Sequence, residues 1–377
     1  MKTITCSLTS EDSNRQETFW KWIDQRVRRL VVRLAEEVLQ LQLQAHIKAG
    51  WNQRTADRSG YRNGYYSRRL TTPHGPLCIR VPRLRQGALD TTVVFDRYAR
   101  RLADVERILR HAYLLGTSTR GTAMLAEQIF GGSLSHQSVS RLTRWLDEQL
   151  VQWRQQAIEP VYPVVYIDGM HVNMLGSDHV VMLVSGQRED GTMDVLGFCV
   201  SKGERCNHLL ADLRRRGLED VQLFVSDDSG SIRYALEQVY PLSNWQSCVF
   251  HRLSRLRTTI GATDYRESMV QQAACIFRCQ SMDAALDVAA KWRLTWLRIN
   301  PWAADQFLYG LRNSLRFYEL PKRWWKRVRT NNLMERLIRT LRQRLRPMGC
   351  FHNQPAIERA VFGQLLRWHK IQLTHNT

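Results

Sequence analysis

The sequence predicts a mixed α/β fold, and three observations carry that prediction. Residues 162–250 hold five short β-branched or aromatic runs. The segments on either side repeat apolar residues at three- and four-residue steps, the period of a helix. Between Gly50 and Gly87 a stretch rich in Gly, Pro, Arg and Tyr breaks the helical pattern and suits a hairpin.

Residues 17–49 read as one helix, with Trp20, Ile23, Val27, Leu30, Val31, Leu34, Val38 and Leu41 on an apolar stripe. Lys21, Arg26, Arg28, Arg29 and Arg33 sit on its other face, so the stripe is expected to pack on a partner. Strand pieces near Tyr65–Leu70 and Leu77–Val81 flank the turn formers Pro73, Gly75 and Pro76. Residues 104–150 are helical, broken at Gly131-Gly132, with Ser135 as N-cap of the helix that follows. A second helix opening on His136, Gln137, Ser140 and Arg141 is what a helix-turn-helix sets into a major groove, and any αα-hairpin shares the pattern.

Pro160 and Pro163 open the strand-rich centre. Tyr162–Ile167, His179–Ser185 and Met193–Val200 are read as a meander, followed by a helix over Asn207–Arg216 and a strand over Val221–Val225. A helix over Tyr234–Val239 and a strand over Trp245–Phe250 complete it. Three antiparallel strands followed by alternating helix and strand is the order of a ribonuclease H-like core. From about 252 to 320 the chain turns helical and Trp-rich, and Arg329–Leu345 is a strongly basic helix before a last one over Gln354–Gln372.

Lys and Arg number 55 against 35 acids, giving a net charge of +20 and a pI near 10.1. Such an excess points to a polyanion, with nucleic acid as the default partner. No apolar run approaches the ~20 residues that span a bilayer, and the first residues lack the apolar core of a signal peptide. No membrane partner and a cytoplasmic, nucleoid-associated protein are expected. The eight cysteines show no framework spacing and are read as free thiols.

Candidate chemistry begins at YPVVYIDGMHV, where an apolar run delivers Asp168 and then Gly169. Alone, Asp-Gly reads as a turn. A carboxylate in apolar surroundings otherwise requires a metal, a cation or hydrogen-bond donors. The run VQLFV delivers Ser226-Asp227-Asp228 in the same way, and first and fourth strands are neighbours in such a sheet. Glu335 is the one acid among ten Lys or Arg between Lys322 and Arg346. It pairs with Arg339 at i+4 or serves as a third ligand on a DNA-facing helix. Trp324-Trp325 within that basic run suit either a wedge against unpaired bases or core packing under a basic rim.

At these residues the sequence resembles the Mutator-type DDE transposases, including their bacterial insertion-sequence members, from about Ser59 to Arg367. RNGYYSRRLTTPHGPLCIRVPRLRQG is similar to the family's N-terminal blocks, and LLGTSTRGTAMLAEQIFGG with SHQSVSRL to its helical DNA-binding region. YPVVYIDGMHV carries the first Asp as Asp168; WQSCVFHRLSRL carries Cys-x-x-His as Cys248 and His251; TNNLMERLIRTLR carries the Glu as Glu335. The second Asp falls on Asp227 by counting back from Ala235-Leu236, with Asp228 the alternative. The family's Trp after Gly203-Glu204 is replaced here by Cys206-Asn207-His208.

The resemblance implies a ribonuclease H-like catalytic core with an all-helical insertion, behind a mainly helical DNA-binding region. Asp168, Asp227 and Glu335 would hold Mg²⁺ or Mn²⁺, His251 would act in catalysis and Cys248 would brace the pocket. The partners implied are double-stranded DNA, both terminal inverted repeats and target, and further copies of the chain, a homodimer or larger. Side chains expected to meet DNA are Arg62, Arg68, Arg69, Arg80 and Arg83 in the hairpin, and Arg120, Gln137 and Arg141 in the helical region. Lys326, Arg327, Arg329, Arg339 and Arg342 join them from the basic run.

The expected divisions are 1–58, 59–103, 104–159, 160–252, 253–325 and 326–377. The activity implied is metal-assisted hydrolysis freeing a 3′-hydroxyl, which then attacks target DNA. A DNA-binding regulator without catalysis and a nuclease or resolvase of the same core are the rival readings.

Overall fold

The computed structural model describes residues 10–96, 99–202, 206–330 and 332–369, which fall into two compact units, 1–143 and 144–377. Gly203-Glu204 of the compared block therefore lies outside the described residues. Among the described residues no helix is long and apolar enough to cross a membrane.

The first unit opens with α1 (Ser10–Ile47), followed by an antiparallel hairpin of β1 (Arg62–Thr72) and β2 (Gly75–Leu84). Both strands extend beyond the expected pieces. Alternation in β2 turns Leu77, Ile79 and Val81 inward, where they close a core with Leu39 of α1, Leu70 and Phe95. Three short helices follow: α2 (Ala103–Leu114), α3 (Thr119–Phe130) and α4 (His136–Leu142). The Ser118 side chain accepts from Gly121 N at the start of α3, and Gly131 ends that helix in the left-handed region at φ 62°. Ser135 caps α4 as expected, accepting from Ser138 N. Val105, Leu109, Ala126, Phe130 and Leu142 pack the three helices together.

The second unit begins with α5 (Trp145–Gln155) and holds a five-stranded mixed sheet. Its strands are β3 (Val164–Met174), β4 (Ser177–Gln187), β5 (Met193–Ser201), β6 (Leu223–Ser226) and β7 (Asn244–Ser247), in the order β5-β4-β3-β6-β7. β3, β4 and β5 are antiparallel, as the meander reading requires, while β6 runs parallel to β3 and β7 parallel to β6. α6 (Asn207–Arg215) and α7 (Gly230–Val239) supply the crossovers. They cover one face: Val165, Ile167, Val184 and Phe224 pack there with Leu209, Leu210, Leu213 and Ile232.

A helical stretch follows: α8 (Val249–Ile260), α9 (Arg266–Ile276), α10 (Met282–Trp296) and α11 (Pro301–Leu308). The basic run forms two helices, α12 (Lys322–Thr330) and α13 (Asn332–Leu345), where one was expected. The last helix, α14 (Gln354–His369), lies against α5 and β5, with Trp153 of α5 between Phe198 and Phe362. α13 packs on β3, on the face opposite α6 and α7, where Met334 meets Ser185 at 3.4 Å.

Two boundary differences bear directly on the candidate site. β3 does not end before Asp168; it continues to Met174 and turns into β4 at Leu175 and Gly176, both with positive φ. The alternation of Met170 and Val172 continues the strand beyond the apolar run. β7 stops at Ser247, because Cys248 is the N-cap residue of α8 and the apolar Val249-Phe250 pair begins a helix.

Gly186 lies where β4 passes under the Tyr162 ring; an added Cβ would stand 2.4 Å from Tyr162 Cδ1 and 2.9 Å from Leu196 Cδ1. Tyr162 is anchored by donating to Asp194 at 2.8 Å and has little room to move. Gly186→Ala should therefore destabilise the chain by about 1–3 kcal/mol, read as a lower denaturant midpoint. A midpoint equal to that of the parent would show that the Tyr162 seat is not tight.

Candidate active site

Strand register brings the first two acids together. β3 and β6 pair as Val164 with Leu223, Val165 with Phe224 and Tyr166 with Val225. Asp168 and Asp227 each follow the last pair, Tyr166 with Val225, by two residues, so the register carries both acids to the same level of the sheet where the pairing ends. Asp168 still has β4 on its other side, paired with Leu183. The first carboxylate thus sits in mid-strand, at the point where parallel pairing ends. Sequence alone suggested a strand end, since an interior acid is rarely tolerated in a sheet.

Asp168 and Tyr166 share the face that α13 covers, and on α13 Glu335 follows directly after the buried Met334. Glu335 is half-buried and its Oε1 has no hydrogen-bond partner. Burial raises its pKa above the ordinary glutamate value; His251 opposes this, Asp168 adds to it, and Arg339 opposes it. Asp168, with its side chain 12% exposed, also has a raised pKa. Burial is the main cause, opposed by His251, by the Gly169 N–H bonded to Oδ1 at 2.8 Å, and by Arg342.

α8 places a cation among these acids. His251, in its first turn, has Nε2 4.0 Å from Asp168 Oδ1. Its pKa is raised to about 9, chiefly by the neighbouring Cys248 thiol, against burial, with the charges of Asp168 and Asp227 adding to the rise. Nδ1 has no partner at full hydrogen-bond geometry, so the thiol acts as a close polar neighbour more than as a fixed acceptor. Cys248 is itself buried, and its N–H donates to Ser226 O at 2.6 Å, which fastens the start of α8 to the end of β6, one residue before Asp227.

Asp228 is differently engaged. Its carboxylate faces Arg255 at 3.5 Å, one turn beyond His251 on α8. Arg252, between them, is buried and donates to Phe307 O at 2.7 Å, Tyr309 O at 2.8 Å, Gly310 O at 3.2 Å and Ser314 Oγ at 2.6 Å. That side chain ties α8 to the helical stretch after it. In the sequence nothing set Arg252 apart, and the signal available for Arg255 was its four-residue spacing from His251 on one helix.

The donor set suits a hard divalent cation: carboxylate oxygens, one of them buried without a partner, at a place where burial already resists charge. Among the described residues no three His, Cys, Asp or Glu side chains converge as a ready-made cage. Magnesium sites that act on phosphate need few protein ligands, because phosphate and water fill the remaining positions.

Most arginines expected to meet DNA also have partners within the fold. Arg62 donates to Ala49 O at 3.4 Å and lies over Trp51; Arg68 lies over Phe95 and donates to Ala99 O at 2.9 Å. Arg80 pairs with Glu36 at 2.9 Å, Arg83 stacks on Tyr66, and Arg141 donates to Ser138 Oγ at 3.1 Å. Arg327 and Arg329 donate to Asp190 O and Phe277 O, at 2.9 Å and 2.7 Å. Arg69, Arg120, Gln137, Lys326, Arg339 and Arg342 are exposed. Of the tryptophan pair, Trp324 is core, 3% exposed, and Trp325 packs on Phe317 and Tyr318.

The family model for the Mutator family of transposases matches residues 1–370. The chain belongs to that family. Its relatives include the transposase for insertion sequence element ISRM5 of Rhizobium meliloti, 27% identical over 91% of this chain and 88% of that protein. Another is the transposase for IS256 in transposon Tn4001 of Staphylococcus aureus, 27% identical over 88% of this chain and 87% of that one. Among solved structures, a simian T-cell lymphotropic virus intasome in complex with PP2A regulatory subunit B56 gamma matches at 9% identity. It covers 54% of this chain and 64% of that one with a TM-score of 0.19, too low to bear on the fold.

The buried charge of Asp168 makes a prediction for the transposase without metal. A carboxyl whose folded pKa lies above its unfolded value favours folding most below the unfolded value, and that favour is lost as pH rises through the folded one. Asp168→Asn should therefore raise the unfolding temperature by a few degrees at pH 8, with the gain shrinking as pH falls. A variant no more stable than the parent at pH 8 would show that Asp168 is not held at a cost.

Proposed function

We propose that this transposase binds the ends of a mobile element, cuts phosphodiester bonds by metal-assisted hydrolysis at Asp168, Asp227 and Glu335, and joins the freed 3′-hydroxyl to target DNA. The observation that supports this reading is the register pairing Tyr166 with Val225, two residues before Asp168 and Asp227 respectively, with Glu335 on the helix that packs on β3. The sheet order, antiparallel on one side and parallel on the other with the acids at the junction, supports a ribonuclease H-like catalytic core.

Asp168, Asp227 and Glu335 would hold Mg²⁺ or Mn²⁺, which when bound stabilises charge on the attacking and departing oxygens. Asp227 is preferred to Asp228 because the latter is already turned to Arg255. His251, as an imidazolium among carboxylates, offsets their repulsion and carries a proton within reach of Asp168. Arg339 and Arg342, exposed beside Glu335 on α13, would meet backbone phosphates entering the site. In the first unit α3 and α4 form a helix-turn-helix-like pair whose exposed His136, Gln137 and Arg141 would face a groove.

The test is strand transfer of labelled element-end DNA into target DNA with Mg²⁺. Asp168→Ala, Asp227→Ala and Glu335→Ala should each lower joining by about a hundredfold or more, while Asp228→Asn keeps most of it. Normal joining by any one of the three removes that residue from the ligand set. Hydrolysis without joining would favour a nuclease, and DNA binding with neither reaction a regulator.

A further inference from the structure

Most of the apolar stripe read from the α1 sequence lies off the face by which α1 packs; Val31 is the member of it that reaches the hairpin core. Val31, Val32, Ala35 and Leu39 meet the hairpin, and Leu43 and Ile47 continue that contact towards Leu84. Trp20, Leu30, Leu34 and Leu41 remain 59%, 54%, 51% and 64% exposed, with Ile23 and Val27 half-buried beside them. These six residues fall on the first and fourth positions of successive heptads. Glu37 takes the one remaining seam position, and its charge is already met by Arg33 Nε at 3.0 Å in the same helix.

A strict seven-residue repeat is a helix-pairing pattern, because a straight helix drifts by ~20° per heptad and keeps such a seam in contact only by supercoiling about another helix. From Trp20 to Leu41 the seam is about 32 Å long. α1 has 38 residues, whereas α14, the next longest helix described, has 16. The element with the length and the matching repeat to cover this seam is a second α1.

We propose that α1 pairs with α1 of a second copy of this chain as a parallel two-stranded coiled coil. Orientation follows from the residues flanking the seam. In a parallel pair Arg26 and Arg33 lie across from Val31 and Val38 of the other copy, so no like charges face each other. An antiparallel pair sets Arg26 against Arg33, or Arg33 against itself, and is disfavoured. This surface is independent of the carboxylates, so its test and the strand-transfer test fail separately.

The mass of the full chain in solution, measured by light scattering at micromolar concentration, should be that of two copies. Leu30→Glu with Leu34→Glu should reduce it to one while the helix content is kept, since both side chains face solvent within a single chain, and the unfolding temperature should drop to that of the unpaired chain. A parent of single-chain mass, or a variant that keeps the double mass, overturns the proposal. Cross-linking settles it should the charged variant fail to fold. Under mild oxidation Leu34→Cys should give a covalent pair well above the background of the parent's own thiols. Cross-linking only when Leu30→Cys and Leu34→Cys chains are mixed overturns the parallel orientation, and none in any combination overturns the pairing.

Discussion

The second unit depends on a carboxylate held in the middle of a sheet. Asp168 sits in β3 with β4 along one side and the end of β6 on the other, its side chain almost wholly out of water. An isolated buried charge of this kind would protonate or unfold its surroundings. It is held by the Gly169 N–H, by His251 at 4.0 Å and by the more distant charge of Arg342. Each of those groups comes from a different element, so the fold around the site is arranged by what this one group requires.

α8 is the element that connects those requirements. Its start is fastened to Ser226 through Cys248, its first turn presents His251 to Asp168, and its second turn presents Arg255 to Asp228. Arg252, between them, binds three carbonyls and a hydroxyl of the helical stretch that follows. Two adjacent aspartates thereby receive different environments: the charge of Asp227 acts on His251, and Asp228 faces Arg255. A register slip of one residue along β6 would exchange them.

Much of this was legible in the sequence because it rests on period and local chemistry. The meander, the crossover helices, the Ser135 cap and the hairpin follow from alternation, turn residues and capping side chains. Asp168 and Asp227 stood out as acids ending apolar runs, and Glu335 as the one acid in a basic run. What sequence hid depends on tertiary contact. β3 continues past Asp168 because β4 pairs with it, and Val249-Phe250 joins a helix although its composition suits a strand. Trp324 is core because its own helix turns it inward beneath a basic surface. In α1 the period identified a helix but not which of its two apolar faces the hairpin would take. The hairpin takes the one that sequence made less conspicuous.

The central claim is that Asp168, Asp227 and Glu335 form one cation site. Anomalous scattering from crystals soaked in Mn²⁺ tests it most directly. A peak is expected among these three carboxylates and should disappear in Asp168→Asn. Mn²⁺ bound elsewhere, or bound equally by Asp168→Asn at that position, would contradict it.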